Sequence, residues 1–277
     1  MIDNKMLKLK YILKSFDKIL VAFSGGVDSS FLLKVCIDVL GSNNVLAVTA
    51  KTESFPEREI SDAIKTANRF KAYHKIIDFD QLAIQEVSKN TPERCYFCKK
   101  ALFAKLKDIA SQEGIKYIVE GSNMDDIGDF RPGMKAMKEL DIKSPLKDAG
   151  FKKSEIRKVA CEMNIPTWDR PSFACLFSRF PYGEKVTHEK LKRVSGAEDV
   201  LRKMGLTQFR VRSHNDIARI EVLPEEIHVF FDEGFREKVV GALKHTGFNY
   251  VTLDLTGYRT GSMNEVLKEG EKHIWKS

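Results

Sequence analysis

Cysteine is scarce in this chain, five residues in 277, and tryptophan scarcer still at two. Cys95 and Cys98 form one Cys-x-x-Cys pair in TPERCYFCKK, but no second pair completes a four-thiolate zinc or iron–sulfur set. No stretch approaches the ~18 apolar residues that span a bilayer, so no membrane partner is expected. The opening MIDNKMLKLKYILKSF is broken by charge throughout, which argues against a secretory leader. A cytoplasmic location follows, where thiols stay reduced and structural disulfides are not expected. There is no internal repeat, no low-complexity segment, no arginine-rich tail and no RNA-binding signature of the RRM type. The Walker A string G-x-x-x-x-G-K-[ST] is also missing.

What remains is an ordinary globular composition, 43% hydrophobic and 31% charged, with a formal net charge of +7. That charge suits a phosphorylated or polyanionic ligand, and equally a lysine-rich solvated surface. Leu9, Ile12, Leu13 and Phe16 follow helical spacing. Buried-strand patterns then alternate with helices: KILVAFS, VLAVTAK, HKIIDFD and KYIVEGSN carry the strands, PEREISDAIKTANRF a helix with proline in its first turn. Helical segments surround the cysteine pair. This rhythm predicts an α/β fold with a parallel sheet and right-handed crossovers. Near residue 165 it stops. IPTWDRPSFACLFSRFPYG holds three prolines and no period. A helix over 187–205, strands QFRVRSH and IARIEVL, a helix from Pro224 and a strand YVTLDLTG come next. They predict a smaller α+β domain over 171–277, after a first domain over 1–170.

FSGGVDSS, residues 23–30, ends the first strand and opens the next helix. Gly25 and Gly26 let backbone approach a ligand, and Asp28, Ser29 and Ser30 stand where a helix N-terminus presents free N–H groups. A glycine turn with serine caps is the plain alternative. The whole S-G-G-x-D-S-S string directly after a buried strand favours an anion site.

This string resembles the PP-loop of the ATP pyrophosphatase superfamily, whose members include GMP synthetase, NAD synthetase, asparagine synthetase and tRNA thiolases. The resemblance implies cleavage of ATP between its α and β phosphates, with Ser24, Gly25, Gly26, Asp28, Ser29 and Ser30 around the pyrophosphate and Asp28 acting through Mg²⁺. EGSNMDD, with Gly121, looks like the second nucleotide-facing segment. Further stretches, among them DIGDFRPGMKAM, KSPL, WDRPSFACLFSRFPYGEKVT, FRVRSHNDIARIEV and LDLTGYRTGSMNE, resemble the LarE family of sulfur transferases. These build the nickel-pincer nucleotide cofactor of lactate racemase. The likeness runs from about residue 15 to 265. It implies adenylation of each carboxylate of a pyridinium biscarboxylic acid mononucleotide, then displacement of AMP by sulfur. Adenylation supplies the leaving group that a carboxylate lacks, and a thiolate is the strongest side-chain nucleophile near neutral pH.

By the same resemblance Cys175 is the sulfur-bearing cysteine. In one branch of the family it gives up its own sulfur and becomes dehydroalanine. In the other, three cysteines hold a [4Fe–4S] cluster that carries an exchangeable sulfide, and Cys95, Cys98 and Cys175 match that set. Zinc, a redox or persulfide pair and plain thiols stay open for Cys95 and Cys98. Cys36 and Cys161, on apolar helical faces, are expected to be buried. Arg210 and Arg212 share one strand face and, with Arg259, are candidates to hold the substrate phosphate; a solvated face is the alternative for the strand pair. Ser178 and Arg179 are candidates to orient the acyl-adenylate. Asp125, Asp126 and Asp129 either bind Mg²⁺ or cap turns. Trp168, His188 and His214 receive no chemical role. The expected partners are the mononucleotide and a sulfide donor in a homo-oligomer. The rival function is a tRNA thiolase, against which stand the missing zinc-ribbon pairs and the missing RNA-binding module. A nucleotide-sensing protein without chemistry is the alternative from another class.

Overall fold

A computed structural model of the chain describes residues 2–127, 132–170, 175–259 and 261–267. The helices, in chain order, are α1 (Ile2–Lys14), α2 (Val27–Leu40), α3 (Glu57–Arg69), α4 (Gln85–Ser88), α5 (Arg94–Gln112), α6 (Pro132–Glu139), α7 (Pro145–Asp148), α8 (Lys153–Glu162), α9 (His188–Lys203) and α10 (Glu233–His245). The strands are β1 (Ile19–Ala22), β2 (Val45–Lys51), β3 (Tyr73–Asp78), β4 (Tyr117–Val119), β5 (Phe209–His214), β6 (Ile217–Val222) and β7 (Tyr250–Leu253). Packing gathers the chain into two units. The first takes the chain up to Asp80 and resumes at Cys95; the second is built from Gln81–Arg94 and the part after residue 174.

The first unit arises from period-two alternation in strands covered on both faces. Ile19 and Val21 of β1, Val45 and Ala47 of β2 and Val119 of β4 enter one apolar layer. Residues from α1, α2, α3 and α8 complete that layer. Leu20, Leu46, Val48 and Ile118 enter the opposite layer with Phe103, Leu106 and Ala110 of α5 and Met137 of α6. The sheet is parallel throughout in the order β3-β2-β1-β4, the α/β architecture that the strand–helix rhythm predicts. Cys36 is fully buried, as its helical spacing requires. Cys161 is not: it is exposed, because Ile156, Val159 and Ala160 already form the buried stripe of α8 and position 161 turns away from it.

In the second unit β5 pairs antiparallel with β6 and β6 parallel with β7, the expected β-β-α-β order. Helix α9 packs on β5, and α10 on α9 and β7. The helix expected from Pro224 is instead a 3₁₀ segment, Pro224–Phe231, with α10 after it. The break falls at Asp232, whose carboxylate accepts the Phe235 N–H at 2.7 Å and starts a new helix as its N-cap. Gln81–Arg94 joins this unit without any periodic signal, a placement that an undivided 1–170 domain does not contain. It is tied in by Asn90, fully buried, which donates to the carbonyls of Phe180 (3.1 Å) and Pro181 (2.7 Å). Arg94 in turn donates to Asn90 Oδ1 at 2.6 Å and covers the Tyr182 ring.

Asp232→Ala removes the cap of α10 and is expected to lower the unfolding free energy by about 1 kcal/mol, read as a shift of the urea midpoint at constant slope.

Candidate active site

Strand β1 ends against β2, where the Phe23 N–H donates to the Val48 carbonyl at 2.9 Å. Thr49 gives its single hydroxyl hydrogen to the Phe23 carbonyl at 2.6 Å and lies 2.8 Å from His74 Nε2. The imidazole nitrogen is therefore the donor of that second contact. Burial pushes the His74 pKa below its ordinary value, which favours the neutral ring. The chain then turns at Gly25, with φ +73°, a conformation that disfavours side chains. A Cβ there would stand 2.9 Å from Ala63 Cβ of α3. Gly26 caps α2 without side-chain help. Ser24 Oγ lies 3.1 Å from Ser29 Oγ, and the Ser29 hydroxyl is 3.1 Å from the Gly26 carbonyl it can donate to. Ser30 Oγ is buried and has no hydrogen-bond partner among the described residues. A buried hydroxyl at a helix N-terminus with its hydrogen-bonding capacity unused fits an anion-binding role.

The loop after β4 closes in from the neighbouring strand. A Cβ on Gly121 would lie 3.0 Å from the Ser29 nitrogen, so a side chain there would push the backbone at the start of α2 away by a few tenths of an ångström. Asp28 faces two groups brought by the tertiary fold: Asn123 Nδ2 at 3.4 Å and Lys153 Nζ at 3.1 Å. Lys153 is the first residue of α8 and has no signal in the sequence, because the motif itself contains no lysine. Asp125 accepts the Lys153 N–H at 2.9 Å, and Asp126 forms a capping box with Asn123. Both carboxylates thus cap backbone. Asp129 lies outside the described residues.

In the second unit Cys175, an exposed free thiol, precedes a short 3₁₀ turn, Leu176–Arg179. Ser178 donates its N–H (3.0 Å) and its hydroxyl (2.8 Å) to the Cys175 carbonyl. Arg179 is fully buried. It grips Glu198 of α9 through Nε (2.7 Å) and Nη2 (3.1 Å), and donates Nη1 to Ser178 Oγ at 2.7 Å. Its guanidinium therefore acts on this turn and not on a solvent-borne ligand, which differs from the expected orientation of the acyl-adenylate by Arg179. Glu198 Oε1 also accepts the Val211 N–H at 3.1 Å.

Arg210 and Arg212 are 9% and 8% exposed, which rules out a solvated strand face for this pair. Arg212 makes a two-pronged contact with fully buried Glu221 at 3.0 and 2.8 Å. It also donates to the Ser178 carbonyl (2.6 Å) and Ser262 Oγ (2.8 Å). Arg210 stacks over Tyr258; burial, and then the nearby Arg179, push its pKa below the usual value. Arg259 is more open and pairs with Glu265, which raises its pKa. Trp168 is 43% exposed. His214 receives a contact from Arg219, and burial together with that charge lowers its pKa. The two glutamates that neutralise this lattice escape a reading of the sequence. Glu198 had a visible signal, since it falls on the apolar stripe Leu191, Val194, Leu201 of α9.

The NAD synthase family matches residues 3–111. With the parallel sheet and the lysine-free S-G-G-x-D-S-S loop at the start of α2, the chain is a PP-loop ATP-using protein. A pyridinium-3,5-bisthiocarboxylic acid mononucleotide synthase of Lactiplantibacillus plantarum is 39% identical over 97% of this chain and 96% of its own length. An uncharacterized protein of Synechocystis sp. is 42% identical over 96% and 99%. A tRNA-specific 2-thiouridylase of Azorhizobium caulinodans is 26% identical over 80% of this chain and 68% of its own. The chain belongs to the family of the pyridinium-3,5-bisthiocarboxylic acid mononucleotide synthase.

Glu198→Ala leaves a buried guanidinium without its counter-charge and is expected to cost about 3–5 kcal/mol, measured by chemical unfolding. A loss below about 1 kcal/mol would mean that Arg179 finds another partner.

Proposed function

We propose that this protein adenylates the carboxylates of pyridinium-3,5-biscarboxylic acid mononucleotide and converts them to thiocarboxylates. The observation that carries the reading is the buried Ser30 hydroxyl, without a hydrogen-bond partner among the described residues, in a lysine-free loop that turns at Gly25 and is approached by Gly121 at Ser29. A substrate carboxylate oxygen attacks the α-phosphorus of ATP; the P–O bond to the β-phosphate breaks and pyrophosphate leaves. Ser24, Gly25, Gly26, Ser29 and Ser30 cradle that pyrophosphate, and Gly121 leaves it room. Asp28 would hold Mg²⁺, with the Asp125 oxygen not taken by the Lys153 N–H as a second donor, and the ion would draw charge from the phosphates; Lys153 Nζ, beside Asp28, offsets developing phosphate charge. Hydrosulfide then attacks the acyl carbon. A C–S bond forms, the C–O bond to AMP breaks, and AMP leaves with its electron pair. Arg259 and Arg212 are assigned to the phosphate of the mononucleotide. Arg259 is the stronger candidate, because Arg212 is already committed to Glu221. Ser178 and Arg179 hold the Cys175 turn in its productive shape.

Cys95, Cys98 and Cys175 are assigned to deliver the sulfide without giving up their own sulfur. Their donor set suits an iron–sulfur cluster: Cys95 and Cys175 are exposed, Cys98 is half-buried, and none of the three is in a disulfide. The first two stand i, i+3 at the start of α5, on one face of a helical turn. When bound, a [4Fe–4S] cluster on three thiolates leaves one iron for an exchangeable sulfide. A soluble sulfide donor and a homo-oligomer in the cytoplasm complete this reading.

ATP turnover is expected to yield AMP and pyrophosphate, with ADP as the main product overturning the assignment. Asp28→Asn and Lys153→Ala are each expected to slow pyrophosphate release at least ~10-fold, or ~1.4 kcal/mol of transition-state stabilisation. Anaerobically purified protein should hold about four irons per chain. Cys95→Ala, Cys98→Ala and Cys175→Ala should each reduce the iron and abolish sulfur transfer, while Cys36→Ala and Cys161→Ala do neither. If Cys95→Ala/Cys98→Ala stays active and intact mass after turnover shows one H₂S lost, Cys175 is a sacrificial donor instead.

A further inference from the structure

The KSPL stretch, residues 143–146, runs beside the end of β4. The Glu120 N–H donates to the Lys143 carbonyl at 3.0 Å and the Lys143 N–H to the Ile118 carbonyl at 2.9 Å, a short parallel bridge of Val119 with Lys143. The same strip of chain then follows the EGSNMDD loop. The Lys147 N–H donates to the Ser122 carbonyl (3.1 Å), the Met124 N–H to the Phe151 carbonyl (2.8 Å) and the Lys153 N–H to Asp125 (2.9 Å). Residues 143–153 thus splint the loop that approaches the start of α2.

One buried side chain joins splint and loop. Glu120 Oε2 accepts both the N–H (3.0 Å) and the hydroxyl (2.8 Å) of Ser122, and Oε1 accepts the Ser144 hydroxyl at 2.5 Å. Serine is a favoured N-cap because its oxygen accepts a free N–H of the helix it precedes. Ser144 stands at the N-cap of α7 and makes no such contact; its hydroxyl is directed to Glu120 instead. All three donors are neutral, and no cation pairs with Glu120 among the described residues. What this carboxylate supplies is therefore hydrogen-bond geometry. The residue it loops around is Gly121, the one that lies against the Ser29 nitrogen.

We propose that Glu120 is a positioning residue for nucleotide binding: held by Ser144, it fixes the turn at Gly121 and so sets the gap between the loop after β4 and the N-terminus of α2. The proposal rests on the reading of S-G-G-x-D-S-S as the pyrophosphate site. In this role Glu120 contacts neither ATP nor the mononucleotide. Its loss should loosen the grip on pyrophosphate and leave binding of the mononucleotide in place.

The test measures binding of inorganic pyrophosphate with Mg²⁺ by calorimetry, and pyrophosphate release from ATP with the biscarboxylic mononucleotide. In Glu120→Ala the pyrophosphate Kd and the KM for ATP should each rise at least ~10-fold while the KM for the mononucleotide stays within ~2-fold, the scale expected when contacting groups are displaced locally. Glu120→Gln should bring both back to within ~3-fold of the parent, because its carbonyl oxygen can take both Ser122 donors and the Ser144 hydroxyl can turn to accept from the amide. Ser144→Ala keeps the Ser122 contacts and should shift the same quantities in the same direction; it is read in place of Glu120→Ala if urea unfolding shows that variant to be unfolded. An unchanged pyrophosphate Kd in the variant read would overturn the proposal. So would equal rises in the two KM values, which would mark Glu120 as support for the whole unit, or a Glu120→Gln as weak as the alanine variant. If the parent binds pyrophosphate but releases none from ATP with this substrate, the proposed function fails and the role of Glu120 is still decided by the pyrophosphate Kd. A parent that binds no pyrophosphate would overturn both.

Discussion

Backbone N–H groups can hold a phosphate only where no side chain stands in the way, and here that condition falls on two missing Cβ atoms. Gly25 turns at positive φ beneath Ala63, and Gly121 lies against the Ser29 nitrogen. Both depend on the sheet order. β1 lies between β2 and β4, with Val21 opposite Val119, so the loops after the two strands leave the same edge side by side. Crevices beyond the carboxyl ends of parallel strands are where α/β folds bind ligands, because helix N-termini converge there. With that geometry set, Asn123 and Lys153 are brought to Asp28, and α3 is brought over the turn.

The second unit solves a different problem. It buries two arginine–glutamate pairs, Arg179 with Glu198 and Arg212 with Glu221. Removing such charges from water costs several kcal/mol per ion, and their mutual attraction roughly repays that cost. The pairs therefore contribute little net stability while setting direction. A two-pronged arginine–carboxylate contact has a preferred plane. Through Ser178, which accepts from Arg179 at Oγ and from Arg212 at its carbonyl, that plane is passed to the turn after Cys175. A cysteine-bearing loop held in this way keeps its shape without extended secondary structure.

Much of this architecture was legible. Period-two strands against helical segments predicted the parallel sheet, and the S-G-G-x-D-S-S string marked its ligand-binding edge, because both depend on residues close in sequence. The misreadings share one cause. Cys161 sits near core positions of α8 but on the outward arc. The helix expected from Pro224 is divided by the Asp232 cap. A solvated face stayed open as the alternative for Arg210 and Arg212, yet both are buried, Arg212 against Glu221 and Arg210 over Tyr258.

Sequence alone determined most of the elements and the glycine turn of the S-G-G-x-D-S-S loop, since local backbone preference and glycine's conformational freedom are properties of a few adjacent residues. Tertiary structure decided which distant charges meet. Lys153 reaches Asp28 across 125 positions, Arg170 reaches Asp62 across 108, and Asn90 draws Gln81–Arg94 to the carbonyls of Phe180 and Pro181. A side chain's ionic partner is set by where whole elements pack, and a charge in the sequence looks the same whether it ends in water or opposite a buried carboxylate.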